Sequence, residues 1–314
     1  MFNTKTWSKI TEKTYGYKSR NFCKDNYKIY YSHVINDIGE YFIVPSFGDF
    51  LSIDESNIDH LDIFFNENIN KPIKVKICST FKPEIENIDV KESGYIHQIE
   101  FDSYDQWRNN IIKFKFRNKI KQSEKNAIQV KYLNDKESLY DFYKMHALLR
   151  INKFNEIPQP WSFFECIYDD YFKQNKGSLI NAYDPNGKLI AGILLIIEGE
   201  IAYYKFNASY LEALKYRPNN YLMDRLIYQC DQIGVKKLNL GFTGASNSYD
   251  GLRKYKLHAG AKEYPRYILQ NRAFSNLNNK LIIKINQMIS KLLTDSISLE
   301  EVDNFSRKYY KYFI

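Results

Sequence analysis

Three consecutive strand-like segments over residues 177–209 constrain the fold of this chain more than any other feature. The middle segment, KLIAGILLIIEG at 188–199, is almost wholly apolar, which favours a strand in a protein core. Turn sequences separate the three segments, namely P-N-G at 185–187 and Gly-Glu at 199–200. Strands joined by tight turns pair with their neighbours, so the pattern predicts a meander. Its strands are predicted at residues 177–184, 188–199 and 200–209.

Helix-like and strand-like segments surround the predicted meander. Asp135 is a suitable N-cap for a helix over 136–153, where apolar residues recur at helical spacing. Ser103 is a suitable N-cap for a long basic helix over 103–125. The other predicted elements are strands at 127–133, 235–242 and 264–270, and helices at 161–174, at 220–232 and from 251.

The two ends of the chain add further elements. In the first hundred residues, strand-like segments alternate with a helical one, which is typical of α/β layers. From Ser275 onward, apolar residues repeat at helical spacing with lysines between them. This last helix either packs on its own domain or lies on a membrane surface, and the sequence leaves both open. The N-terminal segments are predicted strands at 27–34, 40–45, 73–79 and 94–101 and a helix at 56–68.

Composition and charge narrow the kind of protein that this sequence encodes. Of the 314 residues, 44% are hydrophobic and 16% aromatic, which favours a sizeable core over disorder. The net charge is +8 and basic residues cluster at 108–125, which favours polyanionic partners such as nucleic acid or phosphorylated donors. The four cysteines are far apart and the five histidines lack metal-ligand spacing, so we expect reduced thiols and no metal. No apolar run has signal-peptide or membrane-spanning length, so we expect a cytoplasmic protein.

Short motifs in the second half of the chain resemble those of the FemABX-like acyltransferases, which have an acetyltransferase (GNAT-like) fold. Residues 117–130 resemble the family's R-x-x-I-[RK]-x-[AS]-x-K-x-G-[IL]-x-V, with Asn126 in place of the glycine. Residues 251–256, GLRKYK, with Gly-Ala at 260–261 resemble G-[LV]-x-x-F-K-x-x-[FW]-G-[AG]. Further matches, in the family's order, lie at 142–158, 187–192 and 203–209.

The resemblance implies an α/β (α+β) fold with two acetyltransferase-like domains, each built on a mixed central sheet. We expect an N-terminal acetyltransferase-like domain at 1–116 and the acyl-transfer domain at 117–270. A C-terminal helical extension is expected at 271–314. The middle domain has the element order of an acetyltransferase: two helices, a meander, a helix, a strand, a loop, a helix and a strand.

Lys256 is the residue that the resemblance places at the reaction centre. It matches the lysine of the family's F-K pair, which by resemblance contacts the acyl donor near the reacting carbonyl. An ammonium there stabilises the oxyanion charge that develops when a neutral amine attacks. Tyr255 replaces the family's aromatic residue as a wall of the pocket, and His258 is the histidine to test as a proton acceptor. The alternative for Lys256 is a solvated helix lysine.

Three basic residues are candidates for binding a phosphorylated group. Arg117 and Lys121 are four residues apart and share one face of the predicted basic helix. Together with Arg150, they suit the diphosphate of a nucleotide-linked acceptor or the phosphates of a donor. The alternative is a basic helix that only contacts solvent.

The segment R-P-N-N at 217–220 precedes a predicted helix, whose N-terminal N–H groups favour anions. Arg217 and Asn220 are therefore candidate substrate-binding residues. Coenzyme A-dependent acetyltransferases carry a glycine-rich turn at this place. The absence of glycine here weakens the interpretation of this protein as an ordinary acetyl-CoA enzyme.

The third meander strand carries two more candidates, Tyr204 and Asn207. Strict alternation predicts Tyr204 and Phe206 on one face and Asn207 on the other. A polar Asn207 among apolar neighbours suits the orientation of a substrate amide or hydroxyl, although a strand-end residue needs no function.

The resemblance implies an N-acyltransferase that acts on a cell-envelope precursor, either a peptidoglycan peptide or an amino sugar. The donor is an aminoacyl-tRNA or an acyl-CoA-type thioester, and no tightly bound cofactor is expected. The expected partners are a small-molecule or nucleotide-linked amine acceptor, charged tRNA if it is the donor, and a membrane surface if the last helix lies on one. Two alternatives remain open, an RNA-binding protein and an inactive scaffold with an acyltransferase fold.

Overall fold

The computed structural model describes residues 3–45, 50–292 and 298–313. The predicted domain ranges 1–116 and 271–314 include residues outside these described parts. Two compact units make up the chain: one combines Met1–Tyr95 with Tyr264–Ile314, and the other is Ile96–Glu263. Each unit contains helices packed on a sheet with parallel and antiparallel pairs, which confirms the predicted α/β fold class. The boundaries placed after residues 116 and 270 stay predictions.

The first unit contains a mixed sheet in the strand order β1-β2-β3-β5-β12-β6, and a short strand, β4, also pairs with β5. Its core forms where α2 places Leu61 and Phe64 against Val75 and Ile77 of β5. The helices of this unit are α1 Lys5–Tyr15, α2 Ile58–Glu67, α9 Arg272–Leu292 and α10 Leu299–Tyr309. Its strands are β1 Lys18–Lys24, β2 Tyr27–Asn36, β3 Gly39–Val44, β4 Leu51–Ser52, β5 Ile73–Cys78 and parts of β6 Ile88–Glu100 and β12 Lys262–Asn271.

The second unit contains the predicted meander, in a sheet with the strand order β6-β11-β10-β9-β8-β7. Its helices are α3 Tyr104–Gln106, α4 Phe114–Lys125, α5 Lys136–Phe154, α6 Trp161–Asp170, α7 Pro218–Gln232 and α8 Asp250–His258. Its other strands are β7 Gln129–Leu133, β8 Gly177–Tyr183, β9 Leu189–Glu198, β10 Ile201–Ser209 and β11 Lys237–Gly244.

Helices cover both faces of the second unit's sheet. On one face, α4 and α7 pack against β9 through residues such as Phe116, Leu222 and Leu226. On the other face, α5 and α6 surround Phe206 of β10 with aromatic rings, among them Phe164 at 5.2 Å between ring centroids. The almost wholly apolar sequence of β9 is therefore explained by burial on both faces.

Local signals place the boundaries of α5 as the sequence predicts. The Asp135 carboxylate accepts a hydrogen bond of 2.7 Å from the backbone N–H of Ser138, which satisfies a free donor of the first turn. Asn155 ends the helix in the left-handed conformation, with φ of 51°.

The prediction of one long helix over 103–125 is wrong. Ser103 does cap a first turn, since its hydroxyl accepts a hydrogen bond from Gln106 N at 3.1 Å. A π-helical turn, Trp107–Ile111, follows, and the backbone at Ile112 and Lys113 is extended before α4 begins. Trp107 and Ile112 are both buried in the core, so packing of these two apolar side chains interrupts the helix.

Candidate active site

The parallel strands β10 and β11 pair only near their beginnings. The last residues in register are Tyr203 of β10 and Asn239 of β11. β10 continues to Ser209 and β11 to Gly244, so beyond the last pair the facing edges of the two strands have no ladder partner in each other. Backbone groups on such an edge are available to a ligand or to side chains.

A β-bulge at Lys205 changes the direction of the side chains on β10. Tyr204 and Phe206 oppose successive residues of β9, Leu195 and Leu194, so that Lys205 is the extra residue. The predicted placement of Tyr204 and Phe206 on one face is therefore wrong. Tyr204 packs against the core beneath α4 and α7, whereas Phe206 packs among the aromatic residues of α5 and α6.

Lys256 projects from α8 onto the diverging part of β11. Its Nζ donates hydrogen bonds to Gly241 O at 3.1 Å and to Phe242 O at 2.9 Å. The residue is 4% exposed, which excludes a solvated helix lysine. Among the described residues no carboxylate pairs with it, and burial lowers the pKa of Lys256 to about 7. A poorly solvated amine with two fixed acceptors is a suitable electrostatic group, but its role at the reaction centre stays a prediction.

A series of hydrogen-bonded side chains holds Thr243, the residue of β11 that follows Phe242. Thr243 Oγ1 lies 3.3 Å from His97 Nδ1, and His97 Nε2 lies 2.8 Å from Glu263 Oε1. Arg253 donates to both oxygens of Glu263, at 2.6 and 2.8 Å. The sequence interpretation missed His97, Thr243 and Glu263, because they come from three separate elements and share no spacing.

The first turn of α7 lies beside the end of β10. Asn207 Nδ2 donates to Asn219 Oδ1 at 3.3 Å, and Asn219 Nδ2 donates to Ser209 Oγ at 3.3 Å. From α8, the Tyr255 hydroxyl donates to Asn219 O at 2.8 Å. The structure thus brings the predicted residues Asn207 and Tyr255 together at Asn219, with Ser209, which lies in the 203–209 motif but was not a candidate site residue.

Arg217 and Asn220 lie at the beginning of α7. Arg217 adopts the left-handed conformation, with φ of 58°, and its side chain is exposed. Asn220 is 6% exposed, and within the described part of the chain its Nδ2 has no hydrogen-bond partner. Burial raises the pKa of both Tyr204 and Tyr255, so these phenols remain protonated at neutral pH.

The contacts of Arg117, Lys121 and Arg150 differ from those of the other predicted residues. Arg117 donates to backbone carbonyls of the π-helical turn, including Arg108 O at 2.9 Å from Nε. Lys121 is exposed on α4, and Arg150 forms an ion pair with Glu156 after α5. Within the described ranges, none of the three shares a hydrogen bond with the side chains at the end of β10 or the start of α7. Their binding of a phosphate stays a prediction.

His258, the predicted histidine to test, is half-buried two residues after Lys256 on α8, which places it on another face of the helix. In the residues that the structure describes, no group of three or more His, Cys, Asp and Glu side chains is placed to hold a metal ion. No helix in these parts of the chain has both the length and the apolar character needed to cross a bilayer.

Comparison with known proteins agrees with this geometry. Residues 114–264 match the acetyltransferase (GNAT) domain family, a range that includes both diverging strands and all the predicted site residues. FemX has the same fold at 15% identity, over 89% of this chain and 94% of FemX, with a TM-score of 0.66. No curated protein matches the sequence.

Two further solved structures share the fold. The C-terminal domain of a putative lysylphosphatidylglycerol synthetase from Agrobacterium fabrum is 12% identical, over 89% of this chain and 91% of that domain, with a TM-score of 0.61. L-PGS from Bacillus licheniformis is 11% identical, over 92% of this chain and 97% of its own, with a TM-score of 0.58. The chain therefore has the fold of FemX, and its residues 114–264 match the acetyltransferase (GNAT) domain family.

Proposed function

We propose that this protein is an N-acyltransferase that transfers an aminoacyl or acyl group to an amine of a cell-envelope precursor. The donor is an aminoacyl-tRNA or an acyl thioester, and the acceptor is a peptidoglycan peptide or an amino sugar. The observation that carries the proposal is the buried amine of Lys256, held against β11 where β10 and β11 separate. The GNAT family domain supports the same class of reaction.

The reaction needs a neutral amine, a polarised donor carbonyl and near-attack placement of the two. The acceptor nitrogen forms a C–N bond with the carbonyl carbon, and negative charge develops on the carbonyl oxygen. The C–O bond of an aminoacyl ester or the C–S bond of a thioester then breaks. The proton of the acceptor nitrogen leaves with the released alcohol or thiol, so no covalent enzyme intermediate is required.

Lys256 suits the stabilisation of the developing oxyanion. A charged amine has three N–H groups, and the carbonyls of Gly241 and Phe242 accept two of them. The third N–H is then available to the donor carbonyl oxygen. A positive charge acts more strongly in a poorly solvated site than in water, and it needs no reorganisation when it is already held in place.

The start of α7 favours binding of a donor phosphate by a side chain rather than by backbone N–H groups. Arg217 presents an exposed guanidinium there, while Pro218 lacks an N–H group that a glycine-rich turn would offer. The Asn220 Nδ2, which has no hydrogen-bond partner among the described residues, and the side chain of Asn207 add polar groups for the transferred group or the acceptor. These features suit a tRNA or a long acyl thioester better than an ordinary acetyl-CoA.

One structural neighbour is the C-terminal domain of a putative lysylphosphatidylglycerol synthetase, a name that associates this fold with an aminoacyl group and a membrane lipid. It supports an acceptor that belongs to the cell envelope. We place the reaction in the cytoplasm, where charged tRNA and nucleotide-linked precursors occur.

Mass spectrometry of the acceptor tests the proposal. The purified protein is incubated with a panel of aminoacyl-tRNAs and acyl-CoAs and with lysine-containing peptides, amino sugars and nucleotide-linked precursors. The expected result is a mass increase of one aminoacyl or acyl group on one class of amine, only with the matching donor. A protein that is stabilised by a donor but modifies no amine would contradict the enzymatic function and favour a scaffold.

A further inference from the structure

His97 is part of a hydrogen-bonded chain that ends on the diverging part of β11. It is fully buried on β6, and its two ring nitrogens face different partners. Nε2 lies 2.8 Å from Glu263 Oε1 at the start of β12, and Nδ1 lies 3.3 Å from the hydroxyl of Thr243. Thr243 is also fully buried. The imidazole therefore connects β6 to β11 inside the core of the second unit.

The partners of His97 determine its tautomer. Arg253 binds Glu263 through two hydrogen bonds, and these bonds hold the pKa of the Glu263 carboxyl below its usual range. An ionised carboxylate only accepts hydrogen bonds, so His97 donates from Nε2. Nδ1 is left with a lone pair, which accepts the hydrogen bond of the Thr243 hydroxyl. A neutral His97 therefore satisfies the hydrogen bonds that join Arg253, Glu263, His97 and Thr243.

Lys256 and His97 act on the same three residues of β11. Lys256 binds the carbonyls of Gly241 and Phe242, and His97 binds the side chain of Thr243, the next residue. The segment 241–243 lies beyond the last pair with β10, and β6, which carries His97, neighbours β11 on its other edge. The position of the carbonyl acceptors, and with it the direction of the Lys256 amine, depends on both contacts.

The charged groups around the imidazole favour a neutral His97. Lys256 faces it from α8, and Glu263, which is itself bound by Arg253, faces it from the start of β12. Burial, and then the positive charge of Lys256, lower the pKa of His97 to about 4. The imidazole thus binds β11 at neutral pH without placing a second positive charge beside Lys256.

We propose that His97 is a positioning residue for acyl transfer, which fixes through Thr243 the two carbonyls that orient the Lys256 amine. The inference rests on the proposed role of Lys256 as the group that contacts the donor carbonyl. His97 itself touches neither donor nor acceptor. Its loss removes the side-chain contact that holds Thr243, so the neighbouring carbonyls of Gly241 and Phe242, and with them the Lys256 amine, are less firmly fixed.

Kinetics of four variants test this inference. His97→Gln and Thr243→Val break the contact, Thr243→Ser keeps the hydroxyl, and His146→Gln removes another buried imidazole that does not contact β11. We expect kcat to fall on the order of tenfold in H97Q and T243V, with KM nearly unchanged, because misplacement of a catalytic group affects the chemical step. T243S should recover most of the loss. H146Q should keep the wild-type kcat once the rate is divided by the folded fraction, which circular dichroism measures.

A titration of the Lys256 amine by NMR, with 13C-labelled lysine, gives a second readout that needs no activity. Carbonyl acceptors favour the charged amine, so its titration midpoint should move to lower pH in H97Q and T243V but not in H146Q. Equal kcat and equal midpoints in T243V and the wild type would overturn the inference. If the wild type transfers no acyl group while the midpoints of H97Q and T243V are shifted, the proposed function is refuted and the positioning of Lys256 by His97 is supported.

Discussion

The Lys256 amine lies 2.9 Å from the backbone oxygen of Phe242, on a part of β11 that has left its register with β10. A side chain of α8 thus satisfies a backbone group at the place where the sheet opens. Burying an amine without a carboxylate destabilises a fold, and such a cost is typical of functional sites. Ionisation of the Lys256 amine should therefore affect both the stability of the protein and its proposed chemistry.

The ratio of wild-type to Lys256→Arg activity should fall as the pH rises through about 7, the pKa to which burial lowers Lys256. A neutral amine stabilises an oxyanion less well than an ammonium, whereas arginine keeps its charge throughout this range. Initial rates of both proteins from mildly acidic to mildly basic pH give the ratio, and ionisation of the acceptor cancels in it. A ratio that rises with pH would assign Lys256 the role of a base.

Lys256→Met should be more stable than the wild type below neutral pH. The pKa of Lys256 is lowered in the folded state, so the cost of its burial is fully present below about pH 7 and shrinks as the pH rises towards its unfolded value. We expect a gain of a few kcal/mol at acidic pH, since one unit of pKa shift corresponds to about 1.4 kcal/mol. Urea unfolding at several pH values measures it.

The exposed Lys254 of the same helix provides the control for this stability difference. Lys254→Met should show no comparable gain at acidic pH, because its amine is solvated in both states. A stability difference between K256M and the wild type that does not depend on pH would contradict the buried, titrating amine.

The sequence predicted the layers of the second unit because its signals are local. The apolar run of β9, the turn at Gly187 and the Asp135 cap each depend on a few neighbouring residues, and each element forms as expected. The motif match likewise indicated Lys256 from spacing within one helix and its neighbours, and its role at the reaction centre stays a prediction.

The features that the sequence did not predict depend on contacts between distant elements. Strict alternation failed at Tyr204 because the bulge at Lys205 is set by pairing with β9. The helix over 103–125 was broken by burial of Trp107, whose indole N–H donates to Ala259 O at 2.9 Å. The partners of His97 lie far away in sequence, so no pattern along the chain indicated them.

Gly192→Ala should destabilise the second unit. An added Cβ would lie 2.4 Å from Asn181 Oδ1 and 2.8 Å from Phe142 Cδ2, both of them buried. Overpacking of this kind costs about 1–3 kcal/mol. Chemical denaturation measures the change. Adding Asn181→Ala should recover part of the loss, because the Asn181 amide has no hydrogen-bond partner among the described residues.

Gly251→Ala is the matched control for this packing prediction. In the part of the chain that the structure describes, an added Cβ at Gly251 in α8 would have no heavy atom within 4 Å apart from its chain neighbours and the backbone of its own helix. We expect an unchanged or slightly higher unfolding free energy, because alanine favours helix over glycine by about 1 kcal/mol. Equal effects at Gly192 and Gly251 would show that the close packing at Gly192 is absent.

Arg217→Gly should separate donor binding from stability. Glycine relieves the left-handed strain at φ of 58° but adds freedom to the unfolded chain, and the two effects are each about 1 kcal/mol. We therefore expect a nearly unchanged melting temperature together with a weaker donor affinity. Lys215→Ala, which removes another exposed charge two residues earlier, should bind the donor normally. Equal donor affinity in R217G and the wild type would remove Arg217 from the binding site.

Acyl transfer at the Lys256 site is the central proposal for this protein. The direct measurement is the single-turnover rate of acceptor modification, followed by mass spectrometry, for the wild type and for Lys256→Ala with the same donor and acceptor. We expect a donor-dependent mass increase with the wild type and a rate lower by about a hundredfold with K256A, as for the loss of one oxyanion-stabilising group. Equal rates for the two proteins, with K256A fully folded, would contradict it.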